Sequence, residues 1–470
     1  MPPPNLNLEI YMNKDVFSVF GAGVRSVWFI GIGGVSMSSL ALTSLDRGLR
    51  VGGSDRAESA VTERLRNAGC DLRIGHAAEN VSGWDCVVYS AAIHDSNPEL
   101  AAAREAGIPC FVRAEYLGYV MTAYLNRIGV AGMHGKSTTT SMLAHAFLAA
   151  GYNPTIENGA ELAEIGGAYR SGGSEWFIFE ACEYTDSFLS FFPTVSVVLN
   201  IDLDHLDYFR NLDHIVDSFS RYIAKSDTAV VNGDDANVRR ACKGYCGRLV
   251  TFGLGENCEF RAVNLRSAGG FFTFDALRGS EYLASVTPGV PGEHNVMNSL
   301  AAIACCTLAG MAPDEIARHI ASFTGCKRRF ELIPGVNPGG ARVYDDYAHH
   351  PGEIVVTLRT ARAVAGDSHR VITVFQPHTF TRTYELYDDF VNAFGNTDEL
   401  LLLDIYAARE SNRYGVSSEA LARDISANGT AAFFMPDMET AADYLRKNAG
   451  DGDIILTMGA GDVWKVRNYL

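Results

Sequence analysis

The chain is poor in positive charge, with 39 Lys and Arg against 55 Asp and Glu in 470 residues and a formal net charge of −16. That balance excludes bulk binding to nucleic acid or to an anionic membrane surface. A polyanionic substrate must instead be gripped by local lysines, arginines and helix N-termini against an unfavourable overall field. No apolar run approaches the roughly 18 residues needed to cross a bilayer. The opening MPPPNLNLEIYMNKDVF has acidic and polar residues where a secretion signal needs basic and then apolar ones. Both absences predict a cytoplasmic protein. None of the ten cysteines forms C-x-x-C, and the closest pairs, Cys242/Cys246 and Cys305/Cys306, lack histidines at metal-ligand spacing. Cys305 and Cys306 sit in an Ala/Leu-rich helical pattern and read as core. Repeats and low-complexity tracts are missing too, and a hydrophobic fraction of 47% is ordinary for a globular chain. The length suggests about three domains.

What is present is an alternation of short apolar strands and helical patterns. Residues 25–125 read as strand Val27–Ile30, helix 35–47, strand Arg50–Val51, helix 59–68, strand Cys86–Tyr89, helix 97–106 and strand Pro109–Val112. A second α/β block starts at Arg127, with strands Glu175–Phe179, Val195–Asn200, Thr228–Asn232 and Arg248–Phe252. Residues 258–290 are strand-rich, and a long apolar helix follows at 294–310. A third block opens near Gly325, with strands Arg342–Tyr344, Val371–Phe375, Leu400–Ile405 and Ile454–Met458 and helices 352–365, 383–394 and 418–426. Three α/β units in series place the chemistry in the clefts between them.

The most informative stretch is Gly132-Met133-His134-Gly135-Lys136-Ser137-Thr138. It follows the apolar run Ile128–Ala131 and opens a helical pattern at Ser141. A strand, a glycine turn, Lys-Ser and a helix wrap backbone N–H groups around nucleotide phosphates, with the lysine on the terminal phosphates and the hydroxyl on Mg²⁺. The usual G-x-x-x-x-G-K-[ST] spacing would put glycine at position 130, which is Val130; the form here is the compressed G-x-x-G-K-S. Glu180 ends a later strand, and His205 follows another in Asn200-Ile201-Asp202-Leu203-Asp204-His205. Strand ends in an open α/β sheet deliver polar groups to the edge where the phosphate loop lies, so a carboxylate, an imidazole and the Ser137 hydroxyl suit a shared Mg²⁺.

Three further clusters carry polar chemistry. Gly31-Ile32-Gly33-Gly34 follows the first strand and suits close approach of backbone to a diphosphate, with Asp55 placed for a ribose hydroxyl; the pattern is common to NAD sites, UDP-sugar sites and tight strand-to-helix turns with no ligand. Tyr344-Asp345-Asp346-Tyr347-Ala348-His349-His350 is too polar for a buried strand end and suggests recognition or proton handling. His378 and Arg382 follow a strand and suit a carboxylate, while Arg328 and Arg329 suit a transferring phosphoryl group.

In one order, across nearly all of residues 25–465, stand FIGIGG, GSD, YSAAI, GMHGKSTTT, EACEYTDSFL, NIDLDHLDYF, PGEHNVMNSLAA, KRRFE, YDDYAHHP, FQPHTFTRT, LLLDIY and MGAGD. Together these resemble the Mur ligases. The resemblance implies an α/β, three-domain architecture: a Rossmann-like UDP-sugar-binding domain (1–125), a central P-loop ATPase domain (126–325), and a Rossmann-like C-terminal domain (326–470) that closes over ATP and binds the amino acid. It implies ATP-dependent joining of L-alanine to the lactyl carboxylate of UDP-N-acetylmuramate in peptidoglycan synthesis. ATP and Mg²⁺ are the implied cofactors, nucleic acid and membrane are not partners, and the expected assembly is a monomer or weak homodimer.

Carried over position by position, Gly31, Gly33, Gly34, Ser54, Asp55 and Ser90 contact the uridine diphosphate. Gly132 to Thr138 enclose the phosphates, Lys136 holds the β/γ pair, and Ser137, Glu180 and His205 serve Mg²⁺. Asn295 and Asn298 lie on the adenine side, and Asp345 or Asp346 meets the ribose. Tyr347, His378 and Arg382 select the amino acid. The chain departs from the family at Met133 and Ser137 of the loop, where Thr is usual, at Cys182, which replaces an acid and leaves Glu180 and Glu183, and at Arg409, where glycine is common. The implied chemistry also needs a base for the amine, His349 or His350. Rival readings are a murein peptide ligase that adds a recycled tripeptide, an oxidoreductase built on the first domain, and a non-catalytic sensor of UDP-muramoyl precursors. The oxidoreductase reading leaves the Lys136 loop unexplained, and the sensor predicts loss of Lys136, Glu180 or His205, all of which stand.

Overall fold

A computed structural model describes residues 24–470 apart from Ala91, Leu206, Asp207 and Arg409. The departure noted at Arg409 and the unassigned N-terminal stretch therefore lie outside the described residues. The chain divides into two compact units, Met1–Phe252 and Gly253–Leu470.

The first unit begins with a five-stranded parallel sheet. Its strands are β1 (Ser26–Ile30), β2 (Arg50–Asp55), β3 (Asp71–Ile74), β4 (Cys86–Tyr89) and β5 (Cys110–Val112), in the order β3-β2-β1-β4-β5. Every residue of β1 is buried, as expected for a central parallel strand covered on both faces. Val27 and Phe29 pack into the core that holds Tyr116 and Met121, while Trp28 meets Trp84 on the other side, with ring centroids 5.1 Å apart. The order reverses direction at β1, so β1 and β4 diverge at the sheet's carboxyl edge, where the glycine turn 31–34 lies.

The same unit continues with β6 (Asn126–Ala131), β7 (Thr155–Leu162), β8 (Gly167–Arg170), β9 (Trp176–Glu180), β10 (Val195–Val198), β11 (Thr228–Asn232) and β12 (Arg248–Gly253), ordered β12-β11-β10-β6-β9-β7-β8. All pairs are parallel except β7 with β8. β6 is central, and the helix Lys136–Ala149 that follows it is almost wholly buried.

The second unit holds an antiparallel meander of β13 (Phe260–Ala268), β14 (Phe271–Arg278) and β15 (Glu281–Val286), followed by the buried helix His294–Leu308. Its other sheet joins β16 (Glu331–Leu332), β17 (Arg342–Asp346), β18 (Val371–Phe375), β19 (Glu399–Leu402), β20 (Ala431–Phe434) and β21 (Ile454–Met458) in the order β16-β17-β21-β18-β19-β20. The helix expected over 383–394 is two short helices, Phe380–Glu385 and Tyr387–Asn392, broken at Leu386. The first starts early because the Thr379 hydroxyl accepts from the Arg382 N–H and caps it. No helix among the described residues is long and apolar enough to cross a membrane.

Candidate active site

The phosphate loop is built by its neighbours as much as by its glycines. Gly132 has φ +143°, and a Cβ there would lie 3.0 Å from the Leu199 side chain. Gly135 caps the helix in the left-handed region, with φ +85°, and contributes no side-chain bond. The first N–H groups of helix Lys136–Ala149 are thus left without a side-chain cap, as a phosphate-binding terminus requires. Asn200 clamps the loop: its Oδ1 accepts from the His134 N–H at 2.8 Å, its Nδ2 donates to the His134 carbonyl at 2.9 Å, and its own carbonyl accepts from the Met133 N–H at 3.3 Å.

Lys136 donates to the Gly132 carbonyl (2.6 Å), the Met133 carbonyl (3.2 Å) and Glu183 Oε1 (3.0 Å). Burial opposes its charge, but Glu183 beside it outweighs that cost and holds its pKa above the ordinary lysine value. Glu183 is itself held below the usual carboxylate range, because Lys136 and His205 overcome the burial that would raise it. His205 reaches the same Oε1 through Nε2 at 3.2 Å, and its ring rests against Tyr184 with centroids 4.9 Å apart. The structure therefore joins Lys136 to His205 through Glu183. Glu180 instead points at β7, where its Oε2 accepts from the Gly159 N–H at 3.0 Å.

A Cβ at Gly159 would sit 2.4 Å from that Glu180 oxygen. Gly159 has no left-handed backbone to strain, so Gly159→Ala should fold normally while pushing the carboxylate aside. A displacement of about 1 Å at a reacting centre costs up to roughly a hundredfold. The expected result is a fall in kcat/KM for ATP of about ten- to a hundredfold with thermal stability unchanged, read from ATP titrations of phosphate release.

In the first sheet, Asp55 Oδ2 accepts from the Gly33 N–H at 2.8 Å and pins the glycine turn. Gly34 leads into helix Val35–Asp46 with no side-chain cap, again leaving N–H groups for an anion. The Ser54 carbonyl accepts from the Gly31 and Ile32 N–H groups, but its side chain is fully buried. The Ser54 hydroxyl donates to Glu99 at 2.5 Å, and Glu99 also accepts from Asn80 at 2.7 Å and lies 2.8 Å from His76 Nδ1. Ser54 supports the turn through its backbone while its hydroxyl faces inward. Ser90 follows β4, and its carbonyl accepts from the Ile93 N–H.

In the second unit, Asn295 donates to the Pro291 carbonyl at 2.6 Å and Asn298 donates to Asn295 Oδ1 at 2.9 Å, so the pair acts as one polar unit at the start of its helix. Arg328 has φ +60°. It donates to Asp345 Oδ2 at 3.0 Å and to the Gly459 carbonyl, and lies over the Tyr347 ring at 4.9 Å. Asp345 also accepts from Thr457 at 2.7 Å, and burial pushes its pKa up despite both partners. Asp346 accepts from the Phe330 and Ala348 N–H groups, each at 2.7 Å, and burial raises its pKa to about 6. Both aspartates are buried and committed to internal partners.

The two histidines that follow differ. His350 caps helix Pro351–Ala365 through its Nδ1 and forms a capping box with Glu353, a structural duty that sequence reading did not foresee. His349 lies 3.4 Å from Glu353 and 5.9 Å, ring to ring, from His378. His378 is stacked on Tyr406 and meets Arg382 at 3.3 Å. Burial, with His349 and Arg382 nearby, drops its pKa to about 4 and keeps it neutral.

Sequence reading missed Asn200 as the loop's clamp and passed over Glu183 as a bridge. A signal for the first existed, since an asparagine at the end of a strand beside a phosphate loop is one of the few side chains able to satisfy both a backbone donor and acceptor.

Three family models match the chain in series: "Mur ligase family, catalytic domain" over residues 26–125, "Mur ligase middle domain" over 130–306, and "Mur ligase, glutamate ligase domain" over 328–461. The UDP-N-acetylmuramate–L-alanine ligase of Acetivibrio thermocellus is 45% identical over 447 residues, covering 94% of this chain and 94% of that protein. The enzyme of the same name from Clostridium acetobutylicum is 44% identical over 94% of this chain and 96% of its own. Among solved structures, a UDP-N-acetylmuramate-alanine ligase from Thermotoga maritima matches with a TM-score of 0.78 at 26% identity, over 94% of this chain and 98% of that one. A murein peptide ligase from Psychrobacter arcticus shares the fold at a TM-score of 0.67 and 22% identity, over 95% and 97%. With such relatives along almost its whole length, and with the three-domain α/β architecture they share, the chain belongs to the Mur ligase family.

Proposed function

We propose that the protein joins L-alanine to the lactyl carboxylate of UDP-N-acetylmuramate, driven by ATP, in peptidoglycan synthesis in the cytoplasm. The observation that carries this reading is the lysine-bearing loop at an uncapped helix N-terminus, in a chain 45% identical to a ligase of that name. A carboxylate and an ammonium do not condense in neutral water, so the carboxylate must first acquire a leaving group. Its oxygen attacks the γ-phosphorus of ATP, ADP leaves, and an acyl phosphate forms. The alanine amine attacks the acyl carbon, the tetrahedral intermediate expels inorganic phosphate, and the amide remains.

The chain's contribution is positioning and charge neutralisation. Lys136 and the first N–H groups of its helix hold the β- and γ-phosphates. The turn Gly31, Gly33 and Gly34 lets the backbone come close to the UDP diphosphate, and the uncapped first N–H groups of helix Val35–Asp46 point to it. Arg328 and the Asn295–Asn298 pair act on the nucleotide, and Tyr347, His378 and Arg382 on the amino acid. The amine must shed a proton before it attacks. His349 is the base we assign, because the His350 ring is spent on its helix cap. Residues 1–125, 126–325 and 326–470 serve the UDP-sugar, ATP and the amino acid respectively, and the protein acts as a monomer or weak homodimer.

Mg²⁺ fits this site as an ion carried in on the phosphates. Among the described residues no three His, Cys, Asp or Glu side chains converge into a ready cage, whereas Ser137, Glu180 and His205 would supply one carboxylate, one hydroxyl and one imidazole beside the phosphate oxygens and waters that complete a Mg²⁺ shell. When bound it neutralises charge developing on the transferred phosphoryl group.

Phosphate release is the test. It should require UDP-N-acetylmuramate, L-alanine, ATP and Mg²⁺ together, and L-alanine should outpace the tripeptide L-alanyl-γ-D-glutamyl-diaminopimelate. Faster turnover of the tripeptide would move the protein to the murein peptide ligases. Tight UDP-N-acetylmuramate binding without any turnover would make it a sensor.

A further inference from the structure

Glu183 has no part in the chemistry just described, yet it is the acid that both Lys136 and His205 touch. Its side chain is 1% exposed. Oε1 takes the Lys136 ammonium at 3.0 Å and His205 Nε2 at 3.2 Å. Oε2 lies 3.0 Å from the same ammonium but outside hydrogen-bond geometry and makes no other bond. Lys136 meanwhile directs all three of its N–H bonds at Glu183 and at the Gly132 and Met133 carbonyls of its own loop. In this pose the ammonium has no donor left for a phosphate.

The backbone around the bridge is unusual as well. Thr185, Asp186 and His205 have φ of +55°, +57° and +54°, a region sparse for residues with a side chain and most costly for the β-branched Thr185. Asp186 accepts from Tyr208 at 3.0 Å and from Ser218. The turn after Glu183, fixed by these Asp186 bonds, holds the carboxylate beside the imidazole.

We propose that Glu183 is a positioning residue that changes partners when nucleotide binds. Before binding, it keeps Lys136 folded onto the loop. The triphosphate then draws the ammonium away, and the buried carboxylate, having lost its cation, turns its full acceptor capacity to the N–H of His205 Nε2. That bond fixes the imidazole plane and leaves the lone pair on Nδ1, the tautomer in which a carboxylate orients a histidine that would take a metal ion. The inference rests on the assignment of Lys136 to the phosphates and of His205 to the Mg²⁺ side.

The test is equilibrium binding of a non-hydrolysable ATP analogue without turnover, set beside steady-state kcat. Glu183→Gln keeps the shape but releases Lys136 from an ionic partner, so the analogue should bind about tenfold tighter in the absence of Mg²⁺, while kcat falls about 10- to 100-fold as His205 loses its orienting charge. Glu183→Asp keeps the charge but loses reach, so kcat should fall with no gain in affinity. A purely structural role moves both quantities the same way, and affinity and kcat weakening together in Glu183→Gln would overturn the proposal. Lys136→Ala in the same binding assay separates the two levels. Unchanged analogue affinity in that variant removes the phosphate assignment itself, whereas weakened affinity there combined with no tightening in Glu183→Gln removes only the partner exchange.

Discussion

Replacing Lys136 by alanine is expected to lower kcat by at least about 10²–10³-fold, the loss that follows removal of a single preorganised donor from a developing oxyanion. The reason lies in where the charge sits. The γ-phosphoryl group spreads negative charge over its equatorial oxygens as it transfers, and Lys136 is the cation at the start of the phosphate helix. The variant also strands Glu183, a buried carboxylate whose nearest cation is that lysine, so some loss of stability will accompany it. UDP-N-acetylmuramate binding, which we assign to β1, β2 and the glycine turn, should survive and would report that this part of the chain is folded. Full turnover by the alanine variant would refute the phosphate role.

Arg328→Gln is expected to be the most damaging single change to the second unit. Asp345 is 1% exposed, and Arg328 is the cation it holds, at 3.0 Å. Removing one partner of such a buried pair costs roughly 3–5 kcal/mol, because the remaining charge has neither water nor counter-ion. The cost depends on pH in a definite direction. Burial already raises the Asp345 pKa, and loss of the guanidinium raises it further. The variant's folded state thus favours a protonated Asp345, so its deficit against the native protein is full above that raised pKa and shrinks as pH falls through it. Adding Asp345→Asn should restore much of the stability, though not activity. Urea unfolding of the single and double variants at neutral and acid pH measures both effects. A pH-independent deficit, or no recovery in the double variant, would show that the pair is not the source.

The legible parts of the fold were those where burial imposes a pattern. β1, β9, β10, β11, β18 and β21 are central or near-central strands, mostly apolar runs that end in a polar residue or meet a polar or glycine residue within two positions, and the sequence marks each of them. β3 went unread because it is an edge strand. Its Asp-Leu-Arg-Ile buries only Leu72, and with one face in water it has no apolar run to show. The helix Arg113–Met121 went unread because it begins directly after β5, without a loop, with Glu115 closing its first turn onto the Val112 N–H. The expected helix over 383–394 erred for a local reason, since the pattern continues through Leu386 while the backbone does not.

The candidate site is proposed from residue types in the sequence, whereas the contacts that hold those residues are not legible there. The glycines, Lys136, Glu180, His205, His378 and Arg382 announce themselves by position after strands. The partners that hold them do not, because a buried acid such as Glu99 or Glu183 has no periodicity of its own. Nor does sequence alone distinguish His349 from His350, where one residue of offset decides between facing His378 and capping a helix. Cys182 has its thiol pKa pushed up to about 11 by burial, so it stays neutral between Glu180 and Glu183.

Oxygen-18 transfer tests the central claim most directly. UDP-N-acetylmuramate labelled in both lactyl carboxylate oxygens is turned over with ATP and L-alanine, and the released phosphate is weighed by mass spectrometry. An acyl phosphate formed at that carboxylate delivers one labelled oxygen to every phosphate, leaving the other in the amide. Unlabelled phosphate released alongside normal amide formation would mean that the carboxylate never attacked the γ-phosphorus.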